Sequence, residues 1–306
     1  MNHLPSIDAA DVEAAVSMST AIEALRHAFA NRPRHIARSA HAVAGGDLLL
    51  MPAVDDRTAG IKLLMVQPRN VGRGQPVIQG TYVLFDADAG APVALLDGAA
   101  LTSLRTPAVS AVVTDALARR DVRSLGIIGS GPQCIGHAKA MLCVRPQLDA
   151  IVIASRTEAN AMAAVAKIDD PRAVAGTFGE AAACDVVCTA TSSTVPLVTA
   201  AMVRPGTHLN AVGAYRPDMC ELAVDLIRQS TVVVDELAAA REEAGDLIAA
   251  ATTDWSWDRV AGDLADVCSG QLQRRRVEEI TVFKSVGLAF EDLVIARLVA
   301  QATNLL

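Results

Sequence analysis

The chain has 306 residues, 52% apolar and 20% charged, with a formal net charge of −7. At roughly 150 residues per domain this length suits two domains, and that apolar share excludes an intrinsically disordered chain. The acidic balance argues against a nucleic-acid binder, and with only 3% aromatics the core must be built from Ala, Val, Leu and Ile.

Apolar residues Val16, Ile22, Leu25 and Phe29 at helical spacing predict a helix within Val12–Ala30, with Ser19 or Thr20 as its cap and Glu23 completing a capping box. Asp47–Pro52, Gly60–Val66, Gly80–Phe85 and Pro92–Leu96 are short apolar runs bounded by Gly, Pro and Asp, and read as strands of a mixed or antiparallel sheet. Leu101–Leu117 follows as a helix. From Val122 the rhythm changes. Strands at Ser124–Ile128, Ala150–Ala154, Asp185–Thr189, His208–Val212 and Ser230–Asp235 alternate with helices, the pattern of βαβ units and a buried parallel sheet. Gly287–Ala300 is a last amphipathic helix, positioned to return to the first domain. The expected division is 1–117 plus 286–306, and 118–285.

Cys134, Cys143, Cys184, Cys188, Cys220 and Cys268 form no C-x-x-C pair and have no His at ligand spacing, so we expect small buried thiols and neither disulfides nor a metal site. Asp8, Asp11 and Glu13 occupy the start of the chain, where a leader would be apolar. Val186–Val203 is free of charge but holds Pro196 and six hydroxyl residues, unsuited to a membrane span. The expectation is a cytoplasmic protein that engages neither membrane nor nucleic acid.

Gly129-Ser130-Gly131-Pro132-Gln133-Cys134 follows a strand and opens a helix. The first Gly allows the tight turn, the second lets the backbone approach a pyrophosphate, and Cys134 supplies a small third side chain. Free N–H groups at the helix start would hold the phosphates of a dinucleotide. The next strand ends in Ser155-Arg156-Thr157, where an NAD site usually has a carboxylate. Two hydroxyls and a guanidinium suit a 2′-phosphate, predicting NADPH in preference to NADH; the other reading of Arg156 is a solvated surface cation.

Lys62 interrupts an apolar strand. An unpaired buried ammonium is costly, so Lys62 either faces a polar cleft or partner charge, or lies on the solvent side of an edge strand. Arg105 similarly interrupts an apolar helix, and Arg38 lies in a basic stretch with Arg32 and Arg34. Two guanidiniums converging with a lysine would clamp a carboxylate.

These pieces together resemble the ornithine cyclodeaminase/μ-crystallin family over essentially the whole chain: Gly60-Ile-Lys62, Asp97-Gly98, Leu101-Thr-Ser-Leu-Arg105-Thr106, Gly129 to Gln133, His208 to Gly213, Thr281 to Gly287 and Glu291-Asp292. The resemblance implies an α/β fold, with a Rossmann dinucleotide-binding domain beside an α+β substrate-binding and dimerisation domain, assembled as a homodimer. It implies that Arg38, Lys62 and Arg105 bind the substrate carboxylate, that Lys62 donates a proton, and that Gln79 lies near the substrate. Arg105, Thr106, Thr189, Ala190, Val212, Gly213 and Ser285 become cofactor contacts beside the glycine turn.

One departure bears on the substrate. Family cyclodeaminases carry an Asp two residues after the Gly of the Asn-Ala-Val-Gly strand; here that position is Tyr215, followed by Arg216. Neither can receive a substrate's distal ammonium. The branch that fits is NAD(P)H-dependent reduction of a cyclic imine carboxylate, Δ1-pyrroline-2-carboxylate or Δ1-piperideine-2-carboxylate, with Tyr215 and Arg216 near the substrate. The alternatives are a cyclodeaminase in which Asp218 swings in as the acid, an alanine-type dehydrogenase, and a non-enzymatic ligand-binding protein.

Overall fold

The protein, described over residues 4–306 by a computed structural model, resolves into two compact units. One comprises the chain up to Ala28, Arg32–Arg105 and Leu288–Leu306; the other comprises Phe29–Asn31 and Thr106–Gly287.

The first unit is built on a six-stranded sheet of β1 (Ser6–Ile7), β2 (Ser39–Val43), β3 (Gly46–Val54), β4 (Thr58–Val66), β5 (Ile78–Asp86) and β6 (Ala91–Asp97). The order is β1-β6-β5-β4-β3-β2; β1 joins β6 in parallel and the rest pair antiparallel, so the sheet is mixed. β1 and β2 left no sequence signal, because β1 is two residues long and β2 is exposed at every residue. Where apolar spacing suggested one N-terminal helix there are two, α1 (Ala9–Ala15) and α2 (Met18–Ala30). The Asp8 carboxylate accepts from Asp11 N at 2.9 Å, and the Ser17 hydroxyl accepts from Thr20 N at 3.1 Å. Ser17, not Ser19 or Thr20, therefore caps the second helix.

The C-terminal helix, Ala289–Ala302, packs across β3, β4, β5 and β6. Strand alternation turns Met51, Ala53, Leu64, Val66 and Leu84 inward. The opposite face pairs Leu48 with Met65, Leu50 with Leu63 and Ile61 with Val83, all half-buried or exposed.

The second unit holds an eight-stranded, wholly parallel sheet. Its chain order is β7 (Ser124–Ile128), β8 (Ala150–Ala154), β9 (Ala173–Gly176), β10 (Val186–Thr189), then β11 (Thr194–Val198), β12 (His208–Ala211), β13 (Cys220–Leu222), β14 (Thr231–Val234), β15 (Val260–Asp263) and β16 (Thr281–Lys284). The sheet order is β15-β14-β16-β12-β10-β7-β8-β9, with β11 and β13 forming a separate parallel pair. β10, β12 and β16 are buried at every residue, including the polar His208, Asn210 and Lys284. Helices α4 (Pro132–Val144) and α5 (Glu158–Ile168) pack on β7 and β8. This is the doubly wound Rossmann arrangement, with its switch point between β7 and β10.

Helix α3 (Gly98–Leu117) contains the division between units. Thr114 accepts from Asn210 Nδ2 at 2.9 Å and Ser110 Oγ lies 3.0 Å from His137 Nε2, ties that count Thr106–Leu117 with the second unit. The contact boundaries therefore fall after Arg105 and Gly287, where sequence rhythm alone places them at 117/118 and 285/286. Cys134, Cys184 and Cys188 are buried as expected; Cys143, in the last turn of α4, is exposed, and Cys220 and Cys268 are half-buried. Among the described residues no helix is long and apolar enough to cross a membrane.

Candidate active site

Strand alternation decides where Lys62 points. On β4, Thr58, Gly60, Lys62, Leu64 and Val66 share the inward face, and β4 lies inside the sheet, so the solvent-facing edge alternative is removed. Lys62 is 0% exposed; its Nζ donates to Asp292 Oδ2 at 2.6 Å and to Thr102 Oγ1 at 3.2 Å. Arg105, 6% exposed, donates from a terminal nitrogen to Glu291 Oε2 at 2.6 Å, and its Nε lies 3.5 Å from Asp292 Oδ1. Thr102 and Arg105 share one face of α3 at i, i+3 spacing, while Glu291 and Asp292 occupy the first turn of the C-terminal helix.

Burial pushes the Lys62 ammonium down, to about 8; Asp292 pulls it up, and the guanidiniums of Arg105 and Arg38 push it further down. Arg38, half-buried before β2, thus shares the electrostatic neighbourhood of Lys62. Tyr82 lies directly across from Lys62 on β5. Its burial, with the carboxylates of Asp292 and Asp55, holds the phenol well above its ordinary range. The Tyr82 hydroxyl fills the space beside Gly60, where a Cβ would meet it at 2.1 Å.

In the second unit, β7 ends at Ile128 and α4 begins at Pro132 with Gly131 as its N-cap. Gly129 has φ +130°, and a Cβ there would meet Ala190 O at 2.5 Å, so only glycine fits. A Cβ on Gly131 would meet nothing within 4 Å: open space stands before the helix N-terminus. Cys134 is fully buried behind the turn. Free helix N–H groups, an open approach at Gly131 and a place at the sheet's switch point fit a dinucleotide pyrophosphate. Ser130 and Ser155 are joined by a 2.9 Å hydroxyl–hydroxyl hydrogen bond. Arg156 is exposed, and Thr157 caps α5 by accepting from Asn160 N at 3.2 Å.

Thr106 is buried on α3. Thr189, Ala190, Val212, Gly213 and Ser285 lie at or just beyond the carboxyl ends of β10, β12 and β16. The Thr189 hydroxyl and Gly213 N donate to Glu221 at 2.9 and 2.8 Å. Ser285 Oγ donates to Asp235 Oδ2 at 3.0 Å, and that oxygen also receives Val286 N and Gly287 N at 2.7 Å. The sequence reading gave no role to Thr102, Glu221, Asp235, Glu291 or Asp292. The available signal was the one that singled out Lys62, a charge inside an apolar run.

One expectation does not survive. Gln79 is exposed, its amide is 3.5 Å from Pro76 O, and it stands opposite Met65. Being odd-numbered on a strand where Tyr82 and Leu84 point inward, it lies on the sheet face away from Lys62. Asp218, the alternative acid, is paired with its neighbour: Arg216 donates to both its oxygens, at 2.9 and 2.7 Å, and holds its carboxyl below the ordinary range. Tyr215 is half-buried beside this pair.

A Δ1-pyrroline-2-carboxylate reductase of Bacillus cereus is 38% identical over 259 residues, covering 81% of this chain and 79% of its own. The Δ1-pyrroline-2-carboxylate reductase of Thermococcus litoralis, solved with NADH and L-proline, matches with a TM-score of 0.94 at 30% identity over 98% of both chains. An archaeal alanine dehydrogenase dimer with bound NAD matches at 0.93 and 30%, over 98% of this chain and 96% of that one. The profile of the ornithine cyclodeaminase/mu-crystallin family spans residues 6–304, and the chain belongs to that family.

Proposed function

We propose that this protein reduces a cyclic imine bearing a carboxylate on the imine carbon, Δ1-pyrroline-2-carboxylate or its six-membered homologue, to the saturated cyclic amino acid. The observation that carries the reading is the meeting of buried Lys62 with Arg105 and the field of Arg38 in one unit. The reductases among its relatives support it, as does Tyr215 in place of the cyclodeaminase acid.

A bound nicotinamide dinucleotide supplies the hydride that adds to the imine carbon. Arg38 and Arg105 hold the carboxylate through charge-assisted hydrogen bonds and fix the ring's orientation. Lys62 gives its proton to the ring nitrogen. Two of its three N–H bonds point at Asp292 and Thr102, which leaves one for the substrate. The glycine turn, Gly129 to Gln133, receives the pyrophosphate. Ser155, Arg156 and Thr157 offer no carboxylate to repel a 2′-phosphate, so NADPH is the preferred cofactor over NADH.

The first unit serves substrate binding and dimerisation, and the second binds the dinucleotide. The outer sheet face, with Leu63 at 36% and Met65 at 38% exposure, supplies the apolar surface for a homodimer. We assign the protein to the cytoplasm, where its free thiols stay reduced.

The deciding experiment follows NADPH absorbance with purified protein and Δ1-pyrroline-2-carboxylate, beside pyruvate with ammonia, and ornithine with NAD+ assayed for ammonia. Oxidation with the cyclic imine alone is expected. Ammonia release from ornithine without imine turnover would replace this reading by a cyclodeaminase.

A further inference from the structure

Three fully buried charges of the second unit play no part in that chemistry: Glu221, Asp246 and Lys284. A buried ion persists only when paired and hydrogen-bonded, and an apolar trio of similar volume would avoid the desolvation cost altogether. Their partners therefore indicate what they are for.

Glu221, on β13, accepts hydrogen bonds from two separate loops. From the end of β10 and the loop after it come the Thr189 hydroxyl at 2.9 Å, Thr191 N at 2.7 Å and the Thr191 hydroxyl at 2.8 Å. From the loop after β12 come Gly213 N at 2.8 Å and Ala214 N at 3.3 Å. The loops are pressed together at this point: a Cβ on Gly213 would stand 2.2 Å from Thr191 O and 2.4 Å from Glu221 Oε1. Lys284, at the end of β16, secures the second loop from the other side. Its Nζ donates to Ala211 O at 3.3 Å and to Ala214 O, and pairs with Asp246 Oδ2 at 2.9 Å. Asp246 Oδ1 receives Glu221 N and Leu222 N at 2.6 and 2.8 Å, holding the strand that bears Glu221. Burial opposes the Asp246 charge, but Lys284 and these N–H donors keep its carboxyl below the ordinary range.

We propose that Glu221, locked by Asp246 and Lys284, is a positioning residue for the nicotinamide dinucleotide. It presets the two loops that carry Thr189, Ala190, Val212 and Gly213, so that binding pays no entropy for ordering them. The inference rests on the dinucleotide site proposed above and on the cofactor contacts that the family resemblance implies for those residues. A carboxylate suits this task because all five donors need acceptors; an amide in its place would turn a donor toward N–H groups.

The test titrates the purified full-length protein with NADPH, following nicotinamide fluorescence, alongside its thermal midpoint. Glu221→Gln should raise Kd for NADPH at least tenfold. Thr191→Val, which removes one hydroxyl donor, should raise it several-fold, and Thr191→Ser, which keeps that hydroxyl, should stay within twofold of the parent. At saturating NADPH the KM for the cyclic imine should change less than twofold in all three. An unchanged Kd in folded Glu221→Gln overturns the proposal. So does identical behaviour of Thr191→Val and Thr191→Ser, the pair that decides should Glu221→Gln not fold. Gly131→Val separates the two layers of the argument. Lost NADPH binding there, with normal binding in Glu221→Gln, defeats only the positioning role; normal binding in Gly131→Val defeats the placement of the cofactor itself.

Discussion

Lys62 and Asp292 are separated by 230 residues in sequence, yet their side chains meet at 2.6 Å with neither exposed to solvent. Burial lowers the lysine's hold on its proton and the Asp292 carboxylate opposes that, leaving an ammonium that titrates at about 8. A proton donor of that acidity is well matched to chemistry near neutrality.

Removing the ammonium should therefore stop the reaction without disturbing the nucleotide turn. Lys62→Ala is expected to lower kcat/KM for the cyclic imine by about 10²–10⁴-fold, the usual worth of a placed acid. NADPH affinity, read by fluorescence, should stay within twofold. Turnover near the parental rate would remove Lys62 from the mechanism.

The pH dependence has a definite sign. Lys62 must be protonated to donate, so kcat/KM should fall as pH rises through about 8. Asp292 raises the lysine, so Asp292→Asn should move this basic limb to lower pH. A limb that stays in place, in a variant that folds, would mean that another group sets it.

The proposed preference for NADPH rests on Arg156, an exposed guanidinium two residues beyond the end of β8. Arg156→Ala should raise the KM for NADPH about tenfold and that for NADH less than twofold, because only the former has a 2′-phosphate to lose. Equal effects on both cofactors would show that Arg156 does not read the phosphate.

The outer sheet face offers a test of assembly. Leu63→Lys combined with Met65→Lys places two charges on one apolar patch at positions that point away from Lys62. Light scattering after size-exclusion chromatography should shift from about twice the chain mass to the single-chain mass. A dimer that persists unchanged would place the interface elsewhere.

Much of this molecule was legible along the chain. The glycine turn is local chemistry: a strand, a left-handed glycine and a helix start lie within a few residues, so spacing alone reveals them. β7 and β8, five residues each, carry apolar side chains on both faces and announce themselves as continuous runs. β1, β9 and β16 are too short to show a period, and the break at Val16–Ser17 is decided by a capping hydroxyl that competes with several equivalent neighbours. The family resemblance implies Gln79 near the substrate, but the two-residue alternation of β5 turns it to the other sheet face.

The amino-acid order thus determined the fold class, the dinucleotide turn and the presence of an anomalous lysine and two arginines, since each depends on neighbours a few residues apart. Only the tertiary structure decided which acids accompany them. Asp292 for Lys62, Glu291 for Arg105 and, at a second buried lysine, Asp246 for Lys284 are pairings between distant segments. They arise because a charge carried into the interior must find its partner among whatever side chains packing brings within hydrogen-bond reach, and sequence spacing holds no record of that distance.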